Sequence, residues 1–366
     1  MKITYLANSE SIHTVRWARH FSRLGHDVAV LSFAGKMISG IRTTHLPASG
    51  LGPRVNLLGM LPRVRRLVRA DPPDILHAHY VTSYGLAGAL CSFHPFVATA
   101  WGDDVLIDPE KSLAYRLLVR WVLSRADLTT SMAGHMTRLM VKRGYAEPGR
   151  IMTLPFGVDT DQFNPSCRRI KSPGDGITVI STRHLEAEYH VETLVRAVPS
   201  VLSKLPATRF RIVGKGSLSA SLKQLATALG AGNAVDFLGA VEHSVLSDML
   251  GEADVFVSTS VSDGNNISLN EAMACGSLPV VSDIAANREW ITEGRNGLFF
   301  PVGDSEKLAE QIIFAASQPE WRRQAAERNW EIIRDRGSWD KNMLCMEKAY
   351  EELLRRKIDN PAGSVS

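Results

Sequence analysis

Short β-branched runs alternate with helical patterns from one end of the chain to the other. In the first half the predicted strands are Lys2–Ala7, Asp27–Ser32, Asp74–His77, Phe96–Ala100, Leu128–Ser131 and Arg150–Leu154. Helical patterns lie between them, as in Thr14–Leu24, which Gly25 stops, and Ser112–Leu123. In the second half the predicted strands are Thr178–Ser181, Phe210–Val213, Ala234–Leu238, Val255–Ser258 and Leu278–Val281. This alternation predicts two parallel, doubly wound α/β sheets. No short repeat period is present, which argues against a solenoid.

The segment from Asn164 to Gly176 holds two prolines, two glycines and three basic residues, with little to bury, and reads as a linker. It divides the chain into residues 1–163 and 176–340, followed by a last helix near Met343–Arg356 within 341–366. Two Rossmann-like domains joined in this way are expected to face a cleft at the C-terminal ends of their strands, where doubly wound folds bind ligands. A chain of 366 residues suffices for two such domains. The formal net charge of +4 is mild and gives no reason to expect nucleic acid. Cys91, Cys167, Cys275 and Cys345 form no CxxC pair, which suggests reduced thiols in the cytosol and no zinc site. Met1–Ala7 is too short in its apolar run for a signal peptide. No apolar run approaches the about 18 residues that span a bilayer.

The richest chemistry lies between Ser260 and Gly276. Asp263 opens a turn of Gly264, Asn265 and Asn266, and Ile267–Ala274 reads as a helix start. The free amides of Asn265, Asn266, Ile267, Ser268 and Leu269, at the positive end of the helix dipole, suit a phosphate. Glu271, one turn inside, can accept from hydroxyls of the same ligand. Diphosphate plus diol describes a nucleotide-sugar. An ordinary helix N-terminus with Asp263 near its cap gives the same residues.

Asp263 and Glu271 with the continuation Glu271-Ala-Met-Ala-Cys-Gly-Ser-Leu-Pro-Val-Val281 resemble the E-x7-E signature of retaining GT-B glycosyltransferases of the GT4 type. The first Glu of that signature is Asp263 here. Ile212-Val-Gly-Lys-Gly216 resembles the family's strand-end turn, which makes Gly214, Lys215 and Gly216 donor-side candidates; a tight turn explains the glycines equally well. Phe237-Leu-Gly-Ala-Val241 is similar to the segment whose backbone meets the nucleotide base, which points to Val241. Asn296–Asp304 matches a later run and reads as a turn, a strand and a capped helix. The family usually has an Arg, and then a Lys followed by Gly, to neutralise the departing diphosphate. This chain supplies Arg183 and places Tyr189-His190 at the Lys-Gly positions. Lys215 or His184 is a candidate second cation, or simply a solvated side chain.

The first half resembles the family less specifically. Ser9, Ser11, His13 and Arg16 follow the first strand, where relatives often have a Gly-Gly loop. Asp74-Ile-Leu-His-Ala-His79 resembles D-x-x-H-x-H, with His77 read as core-side and His79 further out; no third ligand accompanies them as a metal site. Trp101 stands where many relatives place a His, and can stack on a sugar or an apolar acceptor. Asp103 and Asp104 are candidates for acceptor hydroxyls, or for a capping pair beside a packed Trp. Pro155-Phe-Gly-Val-Asp159 with Phe163 resembles the family's domain junction. Arg42, Arg54, Arg63, Arg65, Arg66 and Arg69 fall in a stretch without Asp or Glu, helical from Pro62, with Val64, Leu67 and Val68 on one face. That helix suits anionic lipid, or docks on the domain core with its arginines solvated.

The resemblance implies a GT-B fold whose last helix returns to the N-terminal domain. It implies a hexosyl transfer with retention, without a metal or other cofactor, from a nucleotide-sugar, expected as a UDP-sugar. The acceptor would be a hydroxyl, expected in glycolipid, lipopolysaccharide or surface polysaccharide synthesis at the inner face of a membrane. Arg183, Asp263 and Glu271 would carry the reaction. A non-catalytic binding protein that keeps the donor fold and a sugar-nucleotide epimerase are the competing readings.

Overall fold

The computed structural model describes residues 1–46, 53–169 and 176–359. The chain forms two compact units, Met1–Pro155 with Met343–Ser366, and Phe156–Asn342.

The first unit holds a parallel sheet in the order β3-β2-β1-β4-β5-β6-β7. Its strands are β1 (Lys2–Leu6), β2 (Asp27–Ser32), β3 (Arg42–His45), β4 (Ile75–His79), β5 (Phe96–Ala100), β6 (Leu128–Ser131) and β7 (Ile151–Thr153). The order reverses beside β1, where Leu6 pairs with Ala78. β3 is an edge strand of Arg-Thr-Thr-His and escaped the sequence reading because it has no apolar run. β4 runs on to His79, so both histidines lie within a strand. The basic helix is Pro53–Ala70, with Pro62 inside it, not at its start. Val64 and Val68 are buried, and Arg63, Arg65, Arg66 and Arg69 are exposed.

In the last helix, Trp339–Asp359, the residues from Met343 to Asp359 belong to this first unit. Tyr350 explains the attachment. Its hydroxyl lies 2.5 Å from His77 Nδ1 and 3.3 Å from the hydroxyl of Tyr5. His77 Nε2 is 2.5 Å from Thr99 Oγ1, which is 2.6 Å from Thr130 Oγ1. This polar chain crosses a fully buried region. Burial holds His77 well below its ordinary pKa and Tyr350 well above its own, so both are neutral. Tyr350→Phe strands His77 Nδ1 and the Tyr5 hydroxyl together. The expected loss is about 1–3 kcal/mol of unfolding free energy by urea titration. A loss within error would show that the last helix is held by its apolar face alone.

The second unit holds a parallel sheet in the order β10-β9-β8-β11-β12-β13. Its strands are β8 (Thr178–Ser181), β9 (Arg209–Val213), β10 (Val235–Gly239), β11 (Val255–Ser258), β12 (Leu278–Ser282) and β13 (Leu298–Phe300). Both faces are covered. Val179, Phe210, Ile212 and Val257 join one apolar cluster, and Ile180, Val213, Phe256 and Val281 join the other. Leu269 and Met273, on the helix Ile267–Ala274, pack into the second cluster.

The break after Pro155 has a local cause. Val158 bridges to Ser338, donating its amide to Gly337 at 2.7 Å and accepting from Trp339 at 2.8 Å. Gly157 has a φ of 80°, and a Cβ there would stand 2.7 Å from the backbone of Trp339. Phe163 is fully buried in the second cluster. The segment that composition marks as a linker is also tied down where it is described. Pro165–Cys167 forms a 3-10 turn, and Arg168 pairs with Asp254 at 3.2 Å. Residues 156–163 therefore group with the second unit, although the sequence reading assigned them to the first.

Candidate active site

In the second unit the strand order reverses between β8 and β11. Ligands of doubly wound sheets bind beyond the C-terminal ends of strands at such a point. Three segments leave those ends: the loop after β8 with Arg183, the turn after β9 with Gly214–Gly216, and the loop after β11 that leads into the helix Ile267–Ala274.

The first two segments interlock. Leu185 donates its amide to Lys215 O at 3.0 Å, and Leu218 donates to Leu185 O at 2.9 Å. A Cβ on Gly214 would lie 2.1 Å from the carbonyl oxygen of Arg183, and one on Gly216 would lie 2.2 Å from that of Leu185. Both glycines are thus required by the Arg183 loop itself, whatever ligand comes near. Lys215 and His184 are exposed.

Arg183 is buried, and both terminal nitrogens of its guanidinium are bonded. Its two terminal nitrogens reach Asn266 Oδ1 at 2.8 Å and Asp263 Oδ2 at 2.5 Å. Its guanidinium also lies 4.5 Å from the centre of the Tyr189 ring. Arg183 Nε is buried with no hydrogen-bond partner. Tyr189 therefore supports the first cation from the position where the resemblance has a second. The next residue, His190, has a φ of 48°, the left-handed conformation that glycine adopts readily.

The turn before the helix is built on its own side chains. Asn266 Oδ1 caps the helix by accepting from the Leu269 amide at 3.1 Å. Asn266 Nδ2 donates to Ser258 and to Asn287, which fixes the amide's orientation. Asp263 Oδ1 accepts from the Asn265 amide at 3.1 Å. Ile267 N donates to Asn265 O at 2.9 Å. The amides of Asn265, Ile267 and Leu269 are thus already bonded, whereas the sequence reading left all five free for phosphate. Those of Gly264, Asn266 and Ser268 have no intramolecular acceptor among the described residues. Asn265 Oδ1 accepts from the Trp290 indole at 3.1 Å, while its Nδ2 is buried without a partner.

Glu271 lies one turn into the helix with its side chain 8 % exposed. Its Oε1 accepts from His243 Nε2 at 3.0 Å. Val241, two residues before His243, is half-buried against the apolar cluster under the helix. His243 is not among the residues that the motifs single out. It follows the Phe237–Val241 segment directly, but nothing in the spacing shows that a side chain 28 positions from Glu271 would meet it.

The first-unit candidates divide into two groups. Ser9 is buried; its amide donates to Ser32 and its hydroxyl to Ala34 O. Asp104 is also fully buried. Its Oδ1 accepts from the amides of Trp101 and Gly102 at 3.0 and 2.9 Å, and its Oδ2 from Val81 at 2.7 Å. Burial pushes its carboxyl up to about 6 against those amide bonds. His79 is buried among Tyr5, Trp17, His77 and Trp101, and neither ring nitrogen has a partner. Burial, with the nearby His13, lowers its pKa to about 3. These three residues were expected to meet an acceptor. The structure instead gives Ser9 and Asp104 to loop backbone and His79 to an aromatic cluster.

His13, Trp101 and Asp103 remain nearer the surface. His13 and Trp101 are half-buried and meet edge to face at 5.7 Å, and Asp103 is exposed. Burial, then Arg16, lowers His13 to about 4, so its ring is neutral near pH 7.

Comparison with known proteins agrees with the fold and with the motif. The family described as Glycosyl transferases group 1 matches residues 165–331, and that described as Glycosyl transferase 4-like matches residues 2–132. A sulfoquinovosyl transferase of Arabidopsis thaliana is 25% identical, over 95% of this chain and 75% of its own. The D-inositol 3-phosphate glycosyltransferase of Geodermatophilus obscurus is 28% identical, over 94% and 84%. The Anabaena HepE protein, solved with UDP and glucose, superposes with a TM-score of 0.78 at 20% identity, covering 96% of this chain and 100% of its own. The chain belongs to the GT4-type glycosyltransferases, enzymes of the GT-B fold.

Proposed function

We propose that this enzyme moves a hexose, with retention of configuration, from a UDP-sugar to a hydroxyl of a lipid-linked acceptor. The observation that carries the donor reading is the convergence of Arg183, Asp263 and Glu271 on one helix start at the β8/β11 switch point. Glu271 takes ribose hydroxyls, and Arg183 with the open amides of Gly264, Asn266 and Ser268 takes the diphosphate. Asp263 lies against the transferred sugar. Leaving-group stabilisation is then electrostatic and needs no metal. HepE, with UDP and glucose in its crystals, supports a uridine donor. The test is release of UDP from a panel of UDP- and GDP-sugars, with and without glycolipid and inositol-phosphate acceptors. Donor binding without any turnover would favour the non-catalytic reading, and a rearranged free sugar-nucleotide would favour an epimerase.

The lipid half of the proposal rests on one helical layer of the first unit. The helices Pro53–Ala70, Leu86–Cys91 and Leu113–Ser124 pack side by side and contain no Asp or Glu. On the last of them Leu113, Leu117 and Trp121 recur at helical spacing with exposures of 69%, 58% and 41%. Arg116 and Arg120 are exposed on the same helix. A groove of about 700 Å³ is lined by Leu61, Pro62, Arg65, Arg66, Arg69, Ala70 and Leu90. Arg65, Arg66, Arg69 and Arg120 have no carboxylate partner among the described residues. Arg42, by contrast, is paired with Asp27 and Asp71, and the side chain of Arg54 lies outside the described residues. The membrane contact therefore centres on these helices instead of on the Arg42 end. No helix among the described residues is long and apolar enough to cross a membrane.

Exposed Leu and Trp among unpaired arginines suit peripheral contact with an anionic leaflet, at ~1 kcal/mol per nearby Arg. Co-sedimentation with anionic vesicles is expected at low salt and to fade as salt rises. Leu117→Glu and Trp121→Glu are expected to reduce it severalfold. Indifference to lipid charge would favour a soluble acceptor.

A further inference from the structure

We infer that His243 sets Glu271 for the vicinal hydroxyls of a nucleoside diphosphate, so that the pair together tells ribose from deoxyribose. The inference rests on the reading of Glu271 given under Proposed function. His243 is the first residue of the helix His243–Glu252, directly after Val241 and the extended Glu242. Its Nε2 donates to Glu271 Oε1 at 3.0 Å. The imidazole is held from both sides of its attachment. Its ring lies 4.9 Å from that of Phe163, inclined at 60°, and Phe163 is fully buried. Its carbonyl oxygen accepts from the Gln162 side chain. His243 is thus fixed in place although its side chain is 53% exposed.

The exposure gradient gives the pair its use. Glu271 is nearly enclosed, and a carboxylate has about four lone-pair sites to fill. His243 takes one from the solvent side and thereby fixes the plane of the carboxylate. The remaining sites then point in a set direction, which suits two hydroxyls on adjacent carbons. Without the imidazole donor the carboxylate can turn, and a hydroxyl pair loses its fixed partner. His243 is therefore a positioning residue, acting through Glu271.

The test is calorimetric titration of the full chain with UDP, GDP and their 2′-deoxy counterparts. Wild type is expected to bind the ribose forms about tenfold more tightly than the deoxy forms. His243→Phe keeps a ring against Phe163 and removes the donor. It is expected to weaken the ribose form by ~tenfold, leave the deoxy form unchanged and bring the ratio near one. His243→Gln, which keeps a donor, is expected to restore part of the preference. In turnover, donor KM should rise with kcat little changed. A His243→Phe protein that discriminates like wild type overturns the role of His243 while sparing that of Glu271. Equal weakening of ribose and deoxy forms also overturns it, as a general disturbance of the site. A wild type that binds UDP without preferring ribose sinks the Glu271 reading and this inference with it. A wild type that binds no nucleoside diphosphate sinks the donor assignment altogether.

Discussion

Arg183→Ala is expected to slow sugar transfer by about a hundredfold or more, because under the proposed function it removes the cation that meets the departing diphosphate. The structure sharpens how this must be measured. Arg183 also neutralises Asp263 and bonds the cap residue Asn266, so its loss leaves a carboxylate 14% exposed without its cation. Breaking such a pair carries a stability cost, up to about 3–5 kcal/mol where burial is complete, and less here because Asp263 keeps an amide bond and some solvent. Rates must therefore be compared at temperatures where both proteins are folded. Arg183→Lys separates the two effects. It keeps the charge and loses the planar fork, so the fold should hold while the rate recovers only in part. Lys215→Ala should be nearly silent, since the Lys215 side chain is exposed on the turn between Gly214 and Gly216. Wild-type rates in Arg183→Ala would remove the lone-cation mechanism. A strong loss in Lys215→Ala would move the second charge to Lys215.

Glu271→Ala is expected to weaken donor binding by roughly 1.5–3 kcal/mol, read by calorimetry with a UDP-sugar or UDP. The estimate assumes that a charged acceptor is lost from two hydroxyls at once. The fold should survive, because the helix is capped by Asn266 and anchored by Leu269 and Met273, none of which needs Glu271. Unchanged affinity in a folded variant would take Glu271 out of the site. Glu271→Gln is the finer probe. It keeps the size and one acceptor, and should fall between wild type and Glu271→Ala.

Much of the fold was readable because the central parallel strands are short runs rich in apolar and β-branched residues. β2, β5, β6, β8 and β11 fall at the bounds those runs set. β3 was not readable, since an edge strand of Arg-Thr-Thr-His needs only backbone pairing with β2. The linker misled for a related reason. Prolines and glycines mark flexible chain on average, but Arg168 finds Asp254, and Phe163 and Val158 find the second unit's core and backbone. The donor half of the site was legible as a motif because its residues are close in sequence and sit on one helix start. Its completion was not, because Arg183–Asp263 and His243–Glu271 are pairings across loops. Local spacing carries no record of such contacts. In the first unit the same alternation that marks a strand cannot say how deeply its end is covered. His79 and Asp104 were therefore placed too near the surface.

The bend at His190 bears on how a second cation could be supplied. At the place where the family resemblance has glycine, this chain bends its backbone in the way glycine allows and accepts a side chain there. Its imidazole is stitched to Thr193 at 2.7 Å, which secures a bend that most side chains resist. The loop thus holds a glycine-like bend with a side chain in place. A lysine and a glycine could therefore be placed at 189 and 190 without redrawing the main chain. A second cation is thus two substitutions away in the loop as it stands.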